Sequence, residues 1–217
     1  HLKMQKITYD VVKNVSKNLD KKIQVAVVIM NSKGAIKSLI GGRSWTKSKF
    51  NRATQSKRQI GSVFKTYVYL TALNAGYNTS DKILDEPIST GSWTPKNFAN
   101  SYEGKISLER AFAISSNVAA VRLADSIGSE AIISQAKKLG IISEITKEPS
   151  MALGVSSLSL IEVSGSFGAI CGEGKPVIPF GLESIRLRSN ELIWKRETPQ
   201  RKKIIKNKTL KSIKSLL

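Results

Sequence analysis

Arg58-Gln59-Ile60-Gly61-Ser62-Val63-Phe64-Lys65 is the stretch on which the reading of this chain turns. Ser62 and Lys65 stand three residues apart, a spacing that puts both on one face of a helix. The residues that follow, among them Val63, Phe64, Tyr67, Val68, Leu70 and Leu73, are apolar on most faces of a helix running to about Ala75. Such a helix is buried, and Gly76 suits its C-terminal cap. A serine at its start meets the positive end of the helix dipole, which favours developing charge on the hydroxyl oxygen. A lysine carried on its dry body loses hydration, so its pKa falls and its amine can act as a base. The stretch therefore reads as an activated serine nucleophile.

Composition narrows the alternatives. His1 is the sole histidine and Cys171 the sole cysteine. A Ser-His-Asp triad is excluded, a histidine-based zinc site nearly so, and no intrachain disulfide is available. No metal or organic cofactor is expected. The chain carries 35 Lys+Arg against 16 Asp+Glu, a net charge of +19. Charge alone would suit an anionic surface or nucleic acid. The sequence shows no zinc finger, RNP aromatic box or helix-turn-helix signature, and nucleic acid is not an expected partner. No apolar run reaches the roughly 20 residues needed to span a bilayer.

S-x-x-K by itself is weak evidence. It occurs here three times, at Ser44/Lys47, Ser62/Lys65 and Ser134/Lys137, but only Ser62 follows a glycine and opens an apolar helix. A second element, Ser115-Ser116-Asn117, has the S-x-N form, which Ser16-Lys17-Asn18 shares. Such a turn can set a hydroxyl beside an amide, the one to relay a proton and the other to hold a peptide carbonyl or orient a lysine. The plainer reading of Ser115 is a helix N-cap.

The pattern elsewhere predicts a helix over residues 3 to 19 with Ile7, Val11, Val15 and Leu19 on its apolar face. It predicts a hairpin from Gln24 to Ile40, turning at Asn31-Ser32-Lys33-Gly34. Residues 77 to 106 read as loop. Helices are expected from Ser107, over Ser116–Ser126, Ser129–Leu139 and Ser159–Ile170, and short strands over Leu182–Leu187 and Glu191–Trp194. Arg201 to Lys214 is the densest basic cluster, a basic tail or helix. Trp45 and Trp194 read as packing residues.

Taken in order, these motifs resemble the class A penicillin-binding proteins, whose transpeptidase domains use S-x-x-K, S-x-N and K-T-G. The likeness extends through Phe50-Asn51-Arg52-Ala53-Thr54-Gln55, Trp93-Thr94-Pro95-Lys96-Asn97-Phe98, Tyr102-Glu103-Gly104, Ala111 to Val121 and Pro149 to Gly154. It covers roughly residues 5 to 195. The resemblance implies a mixed α/β, serine β-lactamase-like transpeptidase fold, a helical lobe with a partial antiparallel sheet. It implies Ser62, Lys65 and Ser115 as catalytic residues, with Asn117 and Trp93 binding substrate. Peptidoglycan stem peptides and β-lactams are the implied partners, and the extracytoplasmic face of the cytoplasmic membrane the implied location. A β-lactam sensor or hydrolase would share these motifs.

Two departures stand out. No K-T-G or K-S-G occurs in these residues, and Leu160-Ile161-Glu162 stands where the family usually has a P-L-E stretch. The expectation is therefore an incomplete transpeptidase domain over 1–200, impaired or inactive alone, followed by a basic segment, 201–217, leading toward the K-T-G region. Its completion would come from a partner chain or a C-terminal segment, and its membrane attachment from an N-terminal anchor. The Gln24–Ile40 hairpin would keep an under-covered edge where the family's later strands pair.

Overall fold

In the computed structural model, all residues except Ser92 and Pro199 are described. In chain order the helices are α1 (Leu2–Ser16), α2 (Lys65–Asn74), α3 (Leu108–Ala113), α4 (Asn117–Ile127), α5 (Ser129–Lys138), α6 (Leu160–Cys171) and α7 (Asn207–Leu216). The strands are β1 (Val27–Met30), β2 (Ile36–Ile40), β3 (Lys57–Gln59), β4 (Lys82–Asp85), β5 (Gly104–Ser107), β6 (Ser157–Ser159), β7 (Ser184–Arg186) and β8 (Leu192–Lys195). The chain divides into two units, residues 1–57 with 159–203, and residues 58–158 with 204–217.

The first unit is built on the antiparallel pair β1–β2, in register Val27↔Ile40 to Met30↔Ile36. The turn between them is organised by Asn31, whose Oδ1 accepts from the backbone N–H groups of Lys33 and Ala35. Helix α6 packs on β1 and α1 packs on β2. Helix α6 opens with a capping box in which Ser159 and Glu162 satisfy each other's backbone N–H groups. The hairpin β7–β8 is exposed along its length.

Helix α1 corrects one expectation. Ile7, Val11 and Val15 are 50%, 55% and 54% exposed, and the buried residues are Thr8, Val12 and Ser16. The cause is Gln5. Its amide donates to Leu39 O (3.0 Å) and accepts from Leu39 N (2.9 Å) and Ser38 Oγ (3.1 Å). That grip on β2 turns the Gln5–Thr8–Val12–Ser16 face inward. It also covers part of the strand edge that the sequence leaves bare. Trp45 is likewise no core residue, at 71% exposed, and Trp194 is 42% exposed.

The second unit is the helical lobe. Every residue of α2 from Lys65 to Leu73 is buried. Helices α4, α5 and α7 all pack against α2. The basic C-terminal stretch is thus a docked helix: Ile205 and Ile213 are fully buried and Leu210 nearly so, while its lysines point outward. Within 77 to 106, read as loop, the antiparallel pair β4–β5 runs from Lys82↔Ser107 to Asp85↔Gly104.

Candidate active site

Ser62 enters through a single 3₁₀ turn, Gly61–Phe64, that leads directly into α2. Gly61 has φ +56°, the left-handed region that glycine enters without a Cβ penalty. Its N–H donates to Gly154 O at 3.2 Å. The result is an exposed Ser62 at the helix start and, one turn later, a Lys65 that is 2% exposed.

The Lys65 ammonium has three donors and three acceptors around it. Nζ donates to Ser115 O (2.6 Å), Ser115 Oγ (3.0 Å) and Asn117 Oδ1 (2.7 Å). Burial removes hydration that a charged amine needs, and lowers its pKa to about 8. Lys65, Ser115 and Asn117 are therefore brought together as expected. Among the described residues no hydrogen bond joins Lys65 to Ser62 Oγ, although the two share a helix face. The reason is saturation: all three protons of the ammonium are already committed to the S-x-N turn. A neutral amine keeps two donors and gains a lone pair, to which the Ser115 hydroxyl can donate.

The S-x-N turn owes its shape to the junction of α3 and α4. Ser115 has φ +53°, an uncommon conformation for a residue with a Cβ. Backbone bonds Ser115 N→Phe112 O and Ser116 N→Ala111 O, both 2.9 Å, hold it there. The N-cap of α4 is Ser116, not Ser115: its Oγ accepts from Ala119 N at 3.0 Å. That division of labour frees the Ser115 hydroxyl to face Lys65.

Two residues complete the surroundings: Asn97, on the Trp93–Phe98 stretch that carries part of the family resemblance, and Asp85, which no sequence motif flags. Asp85, at the end of β4, is fully buried, and its carboxylate accepts from Ser116 Oγ (2.6 Å), Asn97 Nδ2 (2.6 Å) and Glu103 N (2.9 Å). Asn97 Oδ1 accepts from Asn117 N (2.8 Å) and Val118 N (3.2 Å). On the same loop Lys96 O accepts from Asn117 Nδ2 at 2.8 Å. Trp93 is half-buried and exchanges backbone hydrogen bonds with Thr90, at 2.8 and 3.1 Å. Its loop reaches the site through Lys96 and Asn97.

The other S-x-x-K matches lack this setting. Ser134 and Lys137 lie exposed on α5, and Ser44 and Lys47 lie in a surface loop. Among the described residues no group of three His, Cys, Asp or Glu is placed to hold a metal ion.

Comparison with known proteins identifies the family. Residues 25–217 match the model of the penicillin binding protein transpeptidase domain. Penicillin-binding protein 1A of Pseudomonas aeruginosa is 34% identical over 185 residues, which is 82% of this chain and 22% of that protein. The Rickettsia typhi protein of the same name is 34% identical over 182 residues, 81% of this chain and 23% of its own length. The chain thus spans less than a quarter of these curated relatives. Among solved structures, penicillin-binding protein 1A from Haemophilus influenzae superposes with a TM-score of 0.74 at 29% identity, covering 80% of this chain and 27% of that one. The PonA1 protein of Mycobacterium tuberculosis in complex with penicillin V gives a TM-score of 0.90 at 18% identity, covering all of this chain and 61% of that one, a likeness of fold. By family model, relatives and fold together, this chain belongs to the penicillin-binding protein transpeptidase family.

Proposed function

We propose that this chain carries the acylation centre of a peptidoglycan D,D-transpeptidase, with Ser62 as nucleophile. The observation that carries the reading is Lys65. A 2% exposed amine, held by Ser115 and Asn117 one helical turn from an exposed serine, is a base placed for that hydroxyl. Neutral Lys65 takes the Ser62 proton as Oγ attacks the carbonyl between two D-alanines. The Oγ–C bond forms, the C–N bond breaks, and the proton passes from Lys65 by way of the Ser115 hydroxyl to the leaving D-alanine nitrogen. An amine of a neighbouring stem peptide then attacks the ester, a new amide forms, and Ser62 recovers its proton. Asn117 and Trp93 are assigned to the donor peptide. A β-lactam enters the first step and stalls as the acyl-enzyme. The protein would act at the cell envelope, outside the cytoplasmic membrane. Among the described residues no helix is long and apolar enough to cross a membrane.

No K-T-G stands in these 217 residues to recognise the substrate carboxylate or lead into an oxyanion donor. Losing one such donor costs about 10²–10³ in rate in a well-studied hydrolase. The test is mass spectrometry of residues 1–217 with excess penicillin. Slow, Ser62-dependent addition of one acyl group is expected, faster when a K-T-G strand is supplied in cis and absent in Ser62→Ala. Addition at another residue would overturn the assignment, and rapid release of the acyl group would make it a hydrolase.

A further inference from the structure

Asp85 is a fully buried carboxylate on which three donors converge, and none of them belongs to Ser62 or Lys65. Two of the three, Ser116 and Asn97, lead to the site and also touch each other, with Ser116 Oγ 3.3 Å from Asn97 Oδ1. Ser116 Oγ, which donates to Asp85, also caps α4 by accepting from Ala119 N. Asn97 gives its Nδ2 to Asp85 and to Ser101 O, which leaves its Oδ1 for the N–H groups of Asn117 and Val118 and for the Ser116 hydroxyl at 3.3 Å. The side-chain amide of Asn97 can lie either way round, and only one way supplies an acceptor to Asn117 N. Asp85, purely an acceptor, selects that way.

We propose that Asp85 is a positioning residue for the acylation: through Asn97 and Ser116 it fixes the turn that presents Ser115 and Asn117 to Lys65. The inference rests on the Ser62 reading above and extends it to a residue that touches neither nucleophile nor base. Its chemistry depends on an acceptor-only side chain. In Asp85→Asn, an NH₂ group at one position faces Glu103 N–H. At the other it faces Asn97 Nδ2 and drives that amide to flip, so that Asn97 turns an NH₂ toward Asn117 N. Either way a buried donor is left without its acceptor. A displaced turn misplaces Lys65, and an error of about 1 Å in such a group can cost about 10²-fold.

The test uses the full chain and two measurements. Acylation of Ser62 is timed by mass spectrometry at saturating penicillin, and amide hydrogen exchange is followed residue by residue. Asp85→Asn is expected to acylate about 10- to 100-fold more slowly, with the Asn117 and Val118 amides losing protection and those of α5 keeping theirs. The exchanged pair Asp85→Asn with Asn97→Asp restores a carboxylate acceptor for Asn117 N and an amide donor between positions 85 and 97. It is expected to recover part of the lost rate and the protection of the Asn117 amide, the rest being withheld because an aspartate at position 97 has no N–H for Ser101 O. Parental acylation in Asp85→Asn would overturn the proposal. So would a uniform loss of protection across the lobe with no recovery in the exchanged pair, since that marks a residue needed only for folding. If the parent chain shows no acylation at Ser62, the functional reading fails by itself. The exchange of Asn117 and Val118 then still decides whether Asp85 sets the turn.

Discussion

Gly154 lies directly against the backbone of Gly61: a Cβ at position 154 would collide with the Gly61 carbonyl oxygen and sit 2.7 Å from its nitrogen. Gly154 also has φ +73° and accepts the Gly61 N–H. The glycine that lets the nucleophile's turn form is thus seated on a second glycine, at the end of the 3₁₀ turn Pro149–Leu153.

Gly154→Ala should therefore displace the nucleophile and destabilise the lobe together. The left-handed backbone costs a residue with a Cβ about 1–2 kcal/mol, and the collision adds about 1–3 kcal/mol of overpacking against backbone that cannot swing aside. Thermal unfolding should move down by several degrees, and Ser62 acylation should fall by more than the unfolded fraction explains. Unchanged acylation in a fully folded variant would show that the Gly61 turn tolerates the shift.

Ser115 and Ser116 are neighbours with opposite duties, and alanine at each should separate them. Ser116 is 2% exposed, caps α4 and donates to Asp85. Ser116→Ala should cost about 1–2 kcal/mol through the lost cap, a fall of about 2–8 °C in a chain of this size. Ser115 is exposed and its hydroxyl meets Lys65 alone among the described hydrogen bonds. Ser115→Ala should leave the unfolding temperature nearly unchanged and slow acylation at least tenfold. Equal effects of the two changes on stability and rate would refute the division.

The Leu160 departure makes a prediction of the opposite sign. Leu160 is the first residue of α6, the position where proline's fixed φ suits a helix and its missing N–H is least needed. The preceding Ser159 is already extended, at φ −84° and ψ 150°, as a residue before proline must be. Leu160→Pro should stabilise the first unit by about 0.4–1 kcal/mol by restricting the unfolded chain. A drop in unfolding temperature would mean that the half-buried Leu160 side chain contributes more than the proline gains.

The parts of the site legible in the sequence are those fixed by local periodicity. The spacing of Ser62 and Lys65, and the apolar run behind them, are properties of one helix, and α2 forms as that pattern dictates. Asp85 was not legible, because its role is set by partners 12 to 31 residues away that meet only after β4 and β5 pair. The same pairing hid inside a stretch rich in proline and glycine. Ser115 and Ser116 are equally good caps by residue type, and only the handedness of the turn decides between them. In α1 the apolar stripe pointed one way and the Gln5 hydrogen bonds turned the helix another. A polar side chain reading a strand edge outweighed the hydrophobic pattern there.

Lys65 should give acylation a pH limb near 8. Burial lowers its pKa from 10.5 to about 8. At pH 7 about one tenth of the amines are then neutral and able to take the Ser62 proton, so the rate should rise roughly tenfold to a plateau above pH 9. The sign for stability follows from the same shift. Between pH 8 and 10.5 the unfolded chain still holds the proton that the folded chain has released. The penalty for burying the charge is thus fully present below about pH 8 and is relieved as pH rises toward 10.5. Lys65→Arg separates base from cation, because arginine keeps the charge and the donors but does not deprotonate in proteins. It should remove the limb and nearly all acylation, read by mass spectrometry across pH 6 to 10. A flat profile in the parent chain, or an unchanged limb in Lys65→Arg, would assign the proton to another group.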